Sequence, residues 1–140
     1  MNISLFITFK DNCQEAIAFY AKIFNTKVQD LMTFGQMPTQ EGFVIPEEDR
    51  EKVVFATLNV YGTTLMFSDR MSGQPWSNQG NINVTLRGKE KDELQRLYAE
   101  LQVGGKVLVP MQPTFWSDLF GIVQDKFGTT WQLSHDATEA

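Results

Sequence analysis

The sequence predicts an α+β fold, in which two β-α-β-β-β modules form a curled mixed sheet around a cavity. The first observation behind it is internal repetition. Asn2–Val28 (NISLFITFKDNCQEAIAFYAKIFNTKV) and Asn81–Val107 (NINVTLRGKEKDELQRLYAELQVGGKV) both open on Asn-Ile and close on Lys-Val. Each also carries an apolar-Tyr pair, Phe19-Tyr20 and Leu97-Tyr98. A second echo links Tyr61–Asp69 (YGTTLMFSD) to Phe127–Asp136 (FGTTWQLSHD). Two copies are too few for a solenoid and read instead as paired halves of one domain. The second observation is periodicity, which switches between two and 3.6 residues in the same order in both halves.

Residues 2–9 alternate, with Ile3, Leu5, Ile7 and Phe9 on one face, and read as a strand. Asn12 with Glu15 three residues later suggests a capping box for the helix that follows. Ala16, Phe19, Tyr20 and Ile23 carry that helix to about Asn25. A strand over 26–34 precedes a long loop, 35–51, rich in Gly, Pro and charge, whose run Glu47-Glu48-Asp49-Arg50-Glu51 reads as a solvated face. Strands at 52–60 and 63–69 meet at a tight Tyr61-Gly62 turn. The second copy runs as strand 80–87 and helix 90–102, striped by Leu94, Leu97, Tyr98 and Leu101. Gly104-Gly105 stops the helix, and strands at 105–112, 119–124 and 129–134 complete the module. The modules are thus 1–69 and 80–136, joined by a connector at 70–79, in a single domain over 1–140. The long loop, present only in the first half, accounts for the shorter spacing between the second pair of echoes.

Composition narrows the function. The net charge of -5 and the lack of a basic stripe argue against a nucleic-acid partner. A single cysteine, Cys13, excludes a disulfide framework and reads as structural. No basic segment leading into an apolar run marks a secretory signal, and no apolar stretch reaches the ~20 residues of a membrane span. The expectation is a cytoplasmic protein with no membrane partner.

Strand phase sorts the sheet residues. Leu5, Ile7, Leu65, Phe67, Val84, Leu86, Trp131 and Leu133 form the apolar phase and belong under the helices. The other phase includes Phe6, Thr64, Met66, Asn83, Thr85, Thr130, Gln132 and Ser134, and reads as polar without charge. Such a face suits the wall of a small cavity better than open solvent. Other constellations carry less. His135 lies at the end of the last strand, out of phase with Gln132, and reads as a surface residue. Asp118 and Asp125 bracket a strand and stand too far apart to act together, and Asp125 reads as the cap of its own Asp-Lys-Phe-Gly turn. No phosphate-binding loop and no Ser/His/Asp set is present.

The motifs DNCQEAIAFY, LMFSD, GQPW and TFWSDLFGIVQDKFGTTW, in this order across almost the whole chain, resemble the PhnB-like branch of the glyoxalase/bleomycin resistance, or vicinal-oxygen-chelate, superfamily. Some members of the branch carry a 3-demethylubiquinone 3-methyltransferase label. Methyl transfer finds no support here, because no glycine-rich turn joins a strand to a helix. The resemblance implies a divalent ion held by residues of the first and fourth strands of each module, at Phe6, Met66, about Asn83, and Gln132. Phe6 cannot ligate, Met66 is a soft thioether, and Asn83 and Gln132 are neutral amides, so no metal and no cofactor is expected. What the resemblance then implies is a metal-independent small-molecule binder and homodimer, its ligand lined by Phe6, Thr64, Met66, Asn83, Thr130 and Gln132 and closed by Trp76 and Trp116. Trp116 serves equally as a dimer contact, and Trp76 suits a dimer contact slightly better than the pocket. A lyase, isomerase or dioxygenase with a displaced metal site, or a dimeric structural module, are the other readings, and no catalytic residue is assigned.

Overall fold

The computed structural model describes residues 1–38, 41–77 and 81–136. The chain divides into two compact units, Met1–Trp76 and Ser77–Ala140. The first contains β1 (Leu5–Phe9), α1 (Cys13–Ile23), β2 (Val28–Thr33), β3 (Val53–Val60) and β4 (Thr63–Asp69). Its sheet has the order β1-β4-β3-β2, with β1 parallel to β4 and the other neighbours antiparallel. The second contains β5 (Asn83–Gly88), α2 (Lys91–Leu101), β6 (Lys106–Gln112), β7 (Phe120–Gln124) and β8 (Thr130–His135). Its order is β5-β8-β7-β6, with β5 parallel to β8. The same topology thus occurs twice, and the α+β fold of two β-α-β-β-β modules stands. No helix among the described residues is long and apolar enough to cross a membrane.

The apolar phase goes where alternation sends it. Leu65, Phe67, Trp131 and Leu133 are buried, whereas Leu5, Ile7, Val84 and Leu86, on strands at the sheet edges, are half-buried. In the first unit the rings of Phe9, Tyr20 and Phe67 meet pairwise at 5.8–6.4 Å between centroids. In the second, Leu94, Leu97 and Leu101 of α2 are buried, and Trp131 is 1% exposed. Tyr98, expected in the same stripe, is half-buried and reaches sideways, its hydroxyl donating to the Val109 carbonyl at 3.0 Å.

Several local expectations are corrected. β1 begins at Leu5, because the parallel ladder pairs only Leu5–Phe9 with Leu65–Asp69, and Ile3 is left exposed. Gly80, the expected start of the second module, and Asn78 and Gln79 of the connector lie outside the described residues. The buried stripe of α1 is Cys13, Ala16, Ile17, Tyr20 and Ile23, so Ile17 takes the place expected for Phe19. The Asn12–Glu15 capping box does not form. Asp69, at the end of β4, caps the helix instead: Oδ1 accepts from the Cys13 N–H at 2.9 Å and Oδ2 from the Val53 N–H at 3.0 Å. Burial pushes the Asp69 carboxyl up, against the pull of these two donors. It also pushes the Cys13 thiol well up, with the Asp69 carboxylate adding to the effect, so the thiol is inert.

The loop after β2 contains two short 3-10 turns, Phe34–Gln36 and Glu47–Asp49. The acidic run is not wholly solvated, because Asp49 is fully buried. Its carboxylate accepts from the Ser72 hydroxyl at 2.6 Å, the Ser72 N–H at 3.0 Å and the Lys52 ammonium at 2.9 Å. Lys52 also pairs with Asp11 at 2.8 Å. A buried carboxylate persists only with such partners, and the Ser72 and Lys52 donors hold Asp49 down to about 2.

Two turns explain their glycines. Tyr61 and Gly62 both have positive φ (50° and 84°), the hand that suits a two-residue hairpin. At Gly105 the reason is space: a Cβ there would lie 2.1 Å from the Gln124 carbonyl oxygen, where β7 ends.

Candidate functional site

Each sheet carries its helix on one face, and strand alternation sends the other phase away from it. In the first unit that phase sets Phe6 beside Met66 in the parallel ladder and Met66 beside Thr57, whose hydroxyl donates to Asp30 at 3.1 Å. Thr64 lies two residues along β4 and is exposed. Trp76 donates its indole N–H to the Thr8 carbonyl at 2.8 Å, which ties the chain after β4 to β1 two residues from Phe6.

In the second unit the corresponding phase is read in rows. Asn83 faces Thr130, Thr85 faces Gln132, and Arg87 faces Ser134. The Gln132 amide donates to the Asn83 side-chain oxygen at 3.1 Å, locking two of the expected residues together. The residue across from Gln132, in the register that sets Phe6 across from Met66, is Thr85. Thr130 is buried.

This face opens into a cleft of about 510 Å³. Its floor is Thr85, Arg87, Gln132 and Ser134, one wall is Trp116, Ser117 and Phe120, and Asp118, His135 and Asp136 complete the lining. Its volume is that of a small-molecule site. Of the expected residues, Gln132 and Trp116 line it, Asn83 supports Gln132, and Phe6, Thr64, Met66 and Trp76 belong to the first unit.

The wall is built by short-range bonds. Ser117 Oγ lies 2.9 Å from the carbonyl oxygens of both Leu119 and His135, which share its one proton, and the Ser117 carbonyl accepts from the Thr114 N–H at 2.7 Å. This fixes the loop that presents Trp116, whose ring packs edge-on to Phe115 and Phe120 at 4.7 and 5.2 Å. Trp116 remains 57% exposed.

Two residues depart from the sequence reading. Arg87 shares the phase of Asn83 and Thr85, so the face is not free of charge. Among the described residues its side chain pairs with Asp136 at 3.7 Å, longer than a hydrogen bond. His135 is no plain surface residue: its side chain is 13% exposed, with Nδ1 2.5 Å from Asp118 and Nε2 3.1 Å from the Lys89 carbonyl. Asp118 also pairs with Lys91 at 2.6 Å. The Lys91 hydrogen bond, then the His135 ring, hold the Asp118 carboxyl below its usual range. Asp125 is the turn cap the sequence suggests, accepting from the Phe127 and Thr129 N–H groups, and it also takes the Trp131 indole N–H at 2.8 Å.

A second cleft, of about 700 Å³, lies in the first unit beside the start of α1 and is lined mainly by charged side chains. Lys52, Asp11 and Asp69 there are already engaged in the fold.

The metal positions implied by the fold family do not fit an ion. Phe6 has no donor atom, Met66 offers a thioether, and the Asn83 oxygen already accepts from Gln132. Among the described residues no three His, Cys, Asp or Glu side chains are grouped to hold a metal.

Paired modules of this topology define a vicinal-oxygen-chelate-type fold. The chain belongs to the family described as 3-demethylubiquinone-9 3-methyltransferase, whose profile matches residues 1–134. It is 29% identical to protein YjdN of Escherichia coli K12, over 96% of this chain and 95% of that one. Protein PA1353 from Pseudomonas aeruginosa is also 29% identical, with a TM-score of 0.87 over 97% of this chain and 98% of that one. The PhnB protein from Bacillus cereus is 21% identical, with a TM-score of 0.79 over 97% and 100%. At 11% identity, the fosfomycin resistance protein FosX from Listeria monocytogenes has a TM-score of 0.64 over 96% of this chain and 91% of that one, a likeness of fold alone.

Proposed function

We propose that this protein binds a small molecule without a metal, in the cleft of the second sheet. The observation that carries the reading is the pairing of a hydroxyl and amide floor (Thr85, Gln132, Ser134) with an aromatic wall (Trp116, Phe120). Aromatic faces supply apolar contact, while the amide and hydroxyls orient a ligand by hydrogen bonds. A lyase, isomerase or dioxygenase of this fold would need carboxylate or imidazole donors where Phe6, Met66 and Asn83 stand. Methyl transfer, named in the family's description, draws no support from the strand–helix connections, which contain no glycine-rich turn. We propose a homodimer as well, because Phe115, Trp116 and Leu108 of the second unit are 97%, 57% and 51% exposed.

The test is an NMR titration with 3-phenylpropionamide, a neutral aromatic amide, with and without EDTA. Resonances of Trp116, Phe120 and Gln132 shift in both, and Trp116→Ala weakens binding about tenfold, as loss of an aromatic anchor does. Shifts that require an added divalent metal would favour the enzyme reading. A dimer with no shifts at all would favour the structural one.

A further inference from the structure

We infer that the cleft recognises an α-zwitterion, a molecule with adjacent ammonium and carboxylate groups, held between Arg87 and Asp136. The inference rests on reading this cleft as a binding site and names the class of its ligand.

Arg87 projects from the floor with its side chain 55% exposed, and its only contact among the described residues is the 3.7 Å approach to Asp136. At that distance no hydrogen bond forms, so the planar guanidinium keeps its fork of donors for a ligand. Such a fork matches a carboxylate in two parallel bonds. An anion alone would fit poorly, because Asp136 stands beside the guanidinium and would repel it. The other acid at the cleft, Asp118, is matched by Lys91 and His135. Arg87 and Asp136 present one positive and one negative group side by side, 3.7 Å apart.

Geometry selects the α relationship. In an α-amino acid the nitrogen and the nearer carboxylate oxygen lie about 2.7 Å apart, as backbone bond lengths require. Charge-assisted bonds of about 2.8 Å from each end would close a four-sided ring on a guanidinium and carboxylate 3.7 Å apart. An ω-amino acid separates its charges too widely for that ring. A carboxylate has about four lone-pair sites, so Asp136 accepts an ammonium beside its existing contacts. The body of the ligand then meets Trp116 across the Gln132 and Thr85 floor.

Calorimetric titration with four related probes tests this: L-phenylalanine, 3-phenylpropionate, 2-phenylethylamine and 3-phenylpropionamide. The expected result is that phenylalanine binds at least about tenfold more tightly than any of the others, on the scale of one charge-assisted contact. Arg87→Gln and Asp136→Asn each abolish that preference, weakening phenylalanine binding about tenfold while 3-phenylpropionamide, which carries neither charge, loses less. The zwitterion claim is overturned if 3-phenylpropionate or the amide binds as tightly as phenylalanine, or if Arg87→Gln leaves phenylalanine affinity intact; binding at the cleft then still stands. If none of the four probes binds, the binding reading falls along with it.

Discussion

Single side chains do much of the positioning here, and Asp49 shows how. Its carboxyl is held at about 2, below the 3.8 of an unconstrained aspartate, by Ser72 and Lys52. A group depressed in the fold stabilises it above the unfolded value and loses that contribution as pH falls through the folded one. The stability gap between wild type and Asp49→Asn is therefore full above about pH 4 and shrinks towards pH 2. Urea melts across that range check it, and a gap independent of pH contradicts the assignment. None of this was legible locally, because Glu47-Glu48-Asp49-Arg50-Glu51 reads as one solvated run. Burial of its middle acid depends on Ser72, which stands beyond β4. Arg87, by contrast, was within reach: it continues the Asn83, Thr85 alternation by one step. The role of His135 was not, since Asp118 and the Lys89 carbonyl come to it from other elements.

Helix and strand ends make the next scale. The start of α1 is held by Asp69, 56 residues away in sequence, while the Asn12–Glu15 pattern makes no cap. Sequence patterns report local bonds, and a carboxylate arriving from a neighbouring strand outcompetes them without leaving a local sign. Asp69→Ala leaves the Cys13 and Val53 N–H groups buried without an acceptor, at about 1–3 kcal/mol each. The urea midpoint should fall by the equivalent of about 3 kcal/mol with an unchanged m-value, and Asp69→Asn should lose less because it keeps one acceptor oxygen. A loss under about 1 kcal/mol for the alanine variant would mean that water or a shifted partner caps the helix. The elements themselves were legible to within a few residues, because both periodicities are strong. In sequence, Gly104 and Gly105 together look like a helix stop. Only Gly104, with its φ of 76°, has that role, and Gly105 answers to the Gln124 carbonyl of β7.

At the scale of the whole chain, the repeat was the most legible feature, and the strand orders β1-β4-β3-β2 and β5-β8-β7-β6 repeat with it. The candidate site was legible in part. Gln132 and Trp116 line the cleft, and Asn83 supports Gln132, but the Arg87–Asp136 pair at its floor does not stand out in the sequence. Metal-independent binding is the central claim, and a native mass spectrum of the untagged protein, purified without chelators, tests it most directly. The spectrum should show a dimer at apo mass, with any additional mass belonging to an organic ligand. One divalent metal per chain, surviving gentle ionisation, would contradict the claim.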